Sequence, residues 1–101
     1  MTELWLDPVI HAPVRLQICA LLSATDEAEF SVVREETRVS DSVLSKHIRQ
    51  LEEAGYVRVR KATVASRQRT WLALTRPGSR ALTTYFRTLK RLAAMVPDAD
   101  A

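Results

Sequence analysis

One cysteine, Cys19, and two glycines, Gly55 and Gly78, are all that this 101-residue chain holds of either type. A lone cysteine excludes an intramolecular disulfide and points to a reducing, cytoplasmic setting. No Gly-rich loop of the kind that cradles phosphates is present. No run of about 18 apolar residues occurs, so no membrane span is expected. The opening residues MTELWLDP lack a basic stretch followed by an apolar run, so no secretory signal is expected. Internal repeats and low-complexity tracts are absent. The length fits one domain with one modest core.

Chemistry-bearing constellations are missing as well. His11 and His47 have no second ligand type at i+3 or i+4, so metal binding is not expected, nor is any cofactor. The acid pairs Glu35/Glu36 and Glu52/Glu53 are adjacent on expected helices. Neighbours at i and i+1 diverge by about 100° and do not converge on a substrate. No serine or cysteine has an evident base partner. Cys19 lies in an apolar helical pattern and reads as a small buried hydrophobe rather than a redox sensor. An enzyme is therefore not expected.

What is present is an uneven charge distribution. Residues 1–40 carry three arginines against seven acids, a balance of −4. Residues 41–80 carry nine Lys or Arg against three acids, +6, and residues 81–101 add +1, for a total of +3. The basic excess is thus concentrated in the middle of the chain, as a phosphate-binding surface requires.

That middle segment opens with Ser40 to Val57, SDSVLSKHIRQLEEAGYV. Ser40 or Asp41 can cap a helix, because their side-chain oxygens accept free first-turn amides. Leu44, Ile48 and Leu51 share one face of a 3.6-residue period. The opposite face carries Ser42, Val43, Lys46, Arg49 and Gln50, with Ser45 at its edge and His47 flanking it. Hydroxyls, cations, an amide and a small apolar group can bond base edges and phosphates and touch a thymine methyl. Gly55 stops the helix. Tyr56-Val57-Arg58-Val59-Arg60-Lys61 then alternates apolar and basic, as a half-buried strand does. Arg69 to Thr75, RTWLALT, reads as its antiparallel partner. Ala62 to Gln68 reads as a short hairpin tip holding Arg67. Lys61, Arg67 and Arg69 would meet a minor groove or the phosphate backbone. Trp71 reads as packing.

The remaining segments read as scaffold. Pro13 suits the first turn of a helix through about Ser23, with Val14, Ile18, Leu21 and Leu22 inward. Thr25 or Asp26 can cap a helix from Glu27 to Glu36, with Phe30 and Val33 inward. Thr37 to Ser40 is a turn with Val39 plugging the core. Thr75 caps the last helix and Pro77 lies in its first turn. In that helix Leu82, Tyr85, Leu89, Leu92 and Val96 are spaced 3, 4, 3, 4, a coiled-coil-like seam widened by Phe86 and Ala93. The seam predicts a homodimer interface, with help from Leu4, Trp5 and Leu6.

The run EFSVVREETRVSDSVLSKHIRQLEEAGYV, the basic hairpin and LTRPGSRAL resemble compact winged-helix regulators related to the multiple-antibiotic-resistance (MarR) type. The resemblance spans about Leu6 to Leu92, and the opening LDPVIHAPVRLQICALL looks like the first helix of small members of that group. It implies a mainly α fold with a β-hairpin wing (α+β), a winged helix-turn-helix in the order α-α-α-β-β-α. The helix-turn-helix covers about 26–54, the wing about 56–75 and the dimerisation helix about 76–96. It further implies a homodimer on a palindrome-like operator, each recognition helix in a major groove. Metal-sensing relatives of the ArsR type carry a Cys pair or a His/Asp cluster, which this chain lacks.

The expected function is a sequence-specific DNA-binding transcriptional regulator, by default a steric repressor, with double-stranded DNA and a second copy as partners. Arg49 and Lys46 are the expected guanine or phosphate contacts, and Gln50 the adenine reader. The residues name no small-molecule effector; one would have to sit between the DNA-binding lobe and the dimer helices. The alternative is a winged-helix protein-interaction module or a nonspecific architectural nucleic-acid binder. A protein-binding face would show exposed aromatics and fewer cations than Lys46, Arg49 and Gln50 supply.

Overall fold

The structure, a computed structural model, describes residues 4–99. Its helices are α1 (Pro13–Ser23), α2 (Phe30–Thr37), α3 (Asp41–Glu53) and α4 (Arg76–Ala94). Its strands are β1 (Ala28–Glu29), β2 (Val57–Val64) and β3 (Arg67–Leu74), joined as an antiparallel sheet in the order β1-β3-β2. This is the winged helix-turn-helix expected from the sequence, with one short strand added between α1 and α2.

A single core forms where the apolar stripes meet. Ile18, Cys19 and Leu22 of α1, Val33 of α2, Leu44, Ile48 and Leu51 of α3, Val57 and Leu72 of the sheet, and Leu82 and Tyr85 of α4 are all buried together. Each large side chain removed from water stabilises the fold by about 1.5–3 kcal/mol. Val39 packs against this cluster from the α2–α3 turn, as anticipated. Arg38 makes that turn with a left-handed backbone, φ 58°, and donates its N–H to the Arg34 carbonyl.

Helix α3 is defined at both ends by its own residues. Ser40 Oγ accepts from the Val43 amide at 3.2 Å, closing the N-terminus. At the other end Gly55, φ 81°, donates to Glu52 and Tyr56 donates to Leu51, a Schellman stop. The turn then hands the chain directly to β2.

Helix α4 is pinned to that same turn. Thr75 Oγ1 accepts from the Gly78 amide at 3.0 Å and donates to the Gly55 carbonyl at 2.6 Å. The Thr75 amide donates to the Tyr56 carbonyl. The approach is so close that a Cβ on Gly78 would lie 2.2 Å from the Tyr56 carbonyl oxygen. Glycine at this position is therefore required by packing, not by backbone freedom.

Three expectations need correction. Residues 28–29 are strand, and the second helix starts at Phe30 rather than Glu27. Neither Thr25 nor Asp26 caps it; Glu29 is the N-cap and makes no side-chain cap bond. The reason is tertiary: Ala28 and Glu29 pair with Leu72 and Trp71 of β3. Within the wing the strands are longer, and the tip shorter, than expected. Val64 pairs with Arg67, so the tip is only Ala65-Ser66, both left-handed at φ 51° and 66°. Such a two-residue turn matches the twist of the strands but usually uses Asn-Gly. Without that signal the turn was not legible, and each non-glycine residue there costs about 1–2 kcal/mol. Finally, α4 ends at Ala94, so Val96 lies beyond the helix.

Candidate nucleic-acid interface

The outward face of α3 is built as its spacing required. Leu44, Ile48 and Leu51 turn into the core, which forces Ser42, Val43, Ser45, Lys46, Arg49 and Gln50 to the surface. Neither Lys46 nor Arg49 takes part in an ion pair among the described residues. Asp41, at the helix start, is tied to Arg34 of α2 at 2.8 Å. That pair partly neutralises the acid at the start of α3.

The hairpin extends this face. Successive strand residues point to opposite sides of a sheet. Lys61 and its cross-strand partner Thr70 face α3 and line one cleft with Ser45, Arg49 and Glu52. Thr70 carried no sequence signal, because only the register places it beside Lys61.

The other side of the hairpin is different. Arg60, opposite Trp71, places its guanidinium 5.7 Å from the indole centroid and bonds Glu27 at 2.6 Å. Arg69 pairs with Glu29 of β1 at 3.3 Å. Arg67 lies on this same outer side, opposite Val64, and is exposed. Lys61, Arg67 and Arg69 thus do not act from one surface. Lys61 belongs to the α3 cleft and Arg67 to the exposed tip. Arg69 is engaged by Glu29, because β1 brings two acids over the outer face. Such an exposed pair contributes only about 0.2–1 kcal/mol, so it can yield to a phosphate.

Gln50 also departs from its expected role. Its Oε1 accepts from Arg15 Nη1 of α1 at 2.7 Å. Reading adenine through two bonds needs that oxygen turned toward the N6 amino group, and the Arg15 bond turns it toward α1 instead. Arg15 Nη1 also faces His47 Nδ1 at 3.2 Å, while Nε donates to the Val9 carbonyl at 2.5 Å. Burial first, and the Arg15 charge next, lower the His47 pKa. Arg15 was missed because its contacts lie 32 and 35 residues away, beyond any local pattern.

The Pro8–Ile10 turn that receives Arg15 is itself anchored. Asp7 is buried; its Oδ1 accepts from the Val9 amide at 2.9 Å and its Oδ2 accepts from the Tyr56 hydroxyl. The Asp7 hydrogen bond, then burial and the Asp7 charge, push the Tyr56 pKa up to about 12. Cys19 is buried, and its thiol is raised to about 11 by that burial, then by the Asp7 carboxylate, with Arg15 opposing. The thiol is neutral at physiological pH, as a packing role requires.

The residues assigned to a dimer seam divide. Leu82 and Tyr85 are 7% and 4% exposed, so they pack in the core of the chain itself. Tyr85 bonds His11 through its hydroxyl at 2.8 Å. Leu89 and Leu92 are half-buried, while Phe86, Met95 and Val96 are 42%, 73% and 70% exposed. Leu4 and Trp5 are exposed too, and Trp5 lines a cleft with Ala81 and Tyr85 of α4. Among the described residues no group of three or more His, Cys, Asp or Glu is placed to hold a metal, and no helix is long and apolar enough to cross a membrane.

A three-helix head whose third helix presents cations beside a basic hairpin defines a winged helix-turn-helix DNA-binding protein. Comparison with known proteins agrees. Residues 14–93 match the winged helix DNA-binding domain family, and the chain belongs to it. An uncharacterised protein of Methanocaldococcus jannaschii, MJ0432, is 30% identical over 84 residues, covering 83% of this chain and 91% of that one. The structure of a transcriptional regulator homologue from Pyrococcus horikoshii OT3 is similar at a TM-score of 0.80, with 30% identity over 85% of each chain. A MarR-family transcriptional regulator from Silicibacter pomeroyi shares the fold at 23% identity and a TM-score of 0.60, across 85% of this chain and 55% of that one. The family is one of DNA-binding domains, and the two solved structures are of a transcriptional regulator and a transcriptional regulator homologue, not of enzymes.

Proposed function

We propose that this chain is a homodimeric transcriptional repressor that binds a palindrome-like operator. Helix α3 enters the major groove through Ser42, Val43, Ser45, Lys46 and Arg49. Lys61 follows the groove edge, and Arg67 reaches the minor groove or backbone from the wing tip. The observation that carries this reading is the cleft shared by Arg49 and Lys61, two cations on neighbouring elements that are outside any ion pair among the described residues. A second copy packs through Phe86, Leu89 and Leu92 of α4, through Val96 just beyond it, and through Leu4 and Trp5. Two-fold symmetry then sets two recognition helices about 34 Å apart, one turn of DNA. Occupation of such a site blocks polymerase by volume alone, which is why repression is the assigned sign.

The test is selection of bound sequences from a random DNA pool at two salt concentrations. An inverted repeat, bound with an affinity that falls as salt rises, supports the dimeric operator reading. Salt-sensitive binding without a motif would replace it with an architectural role on DNA. Retention of nothing at either salt would favour the protein-interaction alternative.

A further inference from the structure

A single guanidinium on α1 organises the flank of α3 that faces away from the wing. Arginine has five N–H donors and no acceptor. Arg15 uses four of them. Nε donates to the Val9 carbonyl at 2.5 Å and Nη2 to the Pro8 carbonyl at 3.3 Å. Nη1 serves Gln50 Oε1 at 2.7 Å and His47 Nδ1 at 3.2 Å. The two carbonyls belong to the turn fixed by Asp7, which is buried and bonded to both Val9 and Tyr56. Arg15 is therefore held from behind by backbone and offers α3 a donor in a fixed place.

That arrangement decides which end of Gln50 faces outward. A side-chain amide can present either its oxygen or its NH2 group, and ordinary rotation exchanges them. Opposite a group that only donates, the oxygen must turn inward. The NH2 group is then what remains for solvent or a ligand. The same logic makes His47 Nδ1 an acceptor, which leaves the ring proton on Nε2 and the imidazole neutral.

We infer that Arg15 is a specificity-positioning residue, which turns the Gln50 oxygen inward and presents its NH2 group to the DNA major groove. An outward NH2 group selects acceptors, and guanine offers two, O6 and N7, where adenine offers N7 beside the N6 donor. Bidentate reading of adenine needs the amide oxygen turned toward N6, the orientation that the Arg15 bond opposes. Freed from Arg15, the same glutamine regains its acceptor and reads adenine through N6 and N7. Base preference at this position thus depends on a residue that touches no base.

This inference rests on α3 being the base-reading helix, and one experiment separates the two. Selection from a random pool is run with the unaltered chain, Arg15→Met, Arg15→Lys and Gln50→Ala, each checked for an unchanged melting profile. The unaltered chain is expected to prefer G over A by about five- to tenfold at one position per half-site, the worth of one net hydrogen bond. Gln50→Ala should abolish that preference at that position alone. Arg15→Met should move it toward A, while Arg15→Lys, still a donor without an acceptor, should keep it. No motif from the unaltered chain would sink the operator reading itself. A motif that Gln50→Ala leaves intact, or that Arg15→Met leaves unchanged, would overturn this inference alone. If Arg15→Met melts early, Gln50→Glu gives an independent arm. Its carboxylate keeps the Arg15 bond but has no donor, so the G preference must vanish, and its survival would overturn the inference.

Discussion

Leu44, Ile48 and Leu51 put the whole apolar stripe of α3 into the core of one protomer, whereas the apolar residues of α4 divide. Leu82 and Tyr85 are inside; Phe86 remains 42% exposed. The two helices look alike in sequence, each a periodic apolar stripe on a polar background. Their difference lies in how much apolar surface is left after the protomer has closed. Helix α3 buries its whole stripe and presents polar groups outward, with Val43 as the one exposed large hydrophobic among them. Helix α4 finishes only half of it, and water over the remainder is what a second copy would displace.

The strongest way to break this contrast is at Phe86. Phe86→Asp should leave the core intact, because the side chain is outside it, yet prevent association. A folded monomer is expected, and operator binding should fall by about a thousandfold, toward the affinity for random DNA. Light scattering on the purified variant, with an operator titration, reads both effects; a dimer with full affinity breaks the assignment of α4.

A second change attacks the joint between the two helices. Gly78→Ala places a Cβ against the Tyr56 carbonyl oxygen, 2.2 Å away in the unrelaxed structure. Backbone on one side and helix on the other leave little room to yield. Overpacking of this kind costs about 1–3 kcal/mol, and in a domain of this size each kcal/mol lowers the midpoint by about 4–8 °C. Thermal unfolding followed by circular dichroism checks it, and an unchanged midpoint would mean that the close approach is not needed.

Arg49→Ala sharpens the polar side of the contrast. If Arg49 reads a base, operator affinity should fall by about 1–3 kcal/mol while random DNA loses far less. Equal losses on both would assign Arg49 to phosphate. The smallest effect concerns acid. The His47 pKa is lowered in the fold, so the unfolded chain binds more protons as pH falls through the ordinary histidine value of 6.5. Stability should therefore decline below about pH 6.5 and be fully present above it. The melting difference between the unaltered chain and His47→Gln, compared at pH 7.5 and 5.5, should shrink or reverse at the lower pH. A difference that does not change would show that protonation is not linked to folding at this site.

The fold was largely legible because its signals are local. The caps Ser40 and Thr75, the Gly55 stop and the α3 stripe all act within a few residues of themselves, and each appears where spacing put it. The candidate site was legible only in part. Lys46, Arg49 and Lys61 follow from a stripe and a basic strand. The engagement of Arg69 by Glu29, the role of Thr70 and the hold of Arg15 on Gln50 do not. Strand β1 is the same case: two residues have no period, and their pairing with Leu72 and Trp71 exists only once the wing has folded back.

By itself, the sequence determined which residues share a face, where the helices begin and stop, and that the basic surface lies on α3 and the hairpin. Those properties follow from helix and strand periods and from the conformational preferences of single residues. Tertiary structure alone decided that Leu82 and Tyr85 close the core of their own protomer, that the wing has one side open to α3 and another neutralised by β1, and which atom of Gln50 faces out. Each of these depends on a partner brought from far along the chain: 35 residues for Arg15 and Gln50, 49 for Asp7 and Tyr56, 74 for His11 and Tyr85. Hydrogen-bond direction and residual exposure are properties of such pairs, and neither member carries them before the chain has packed.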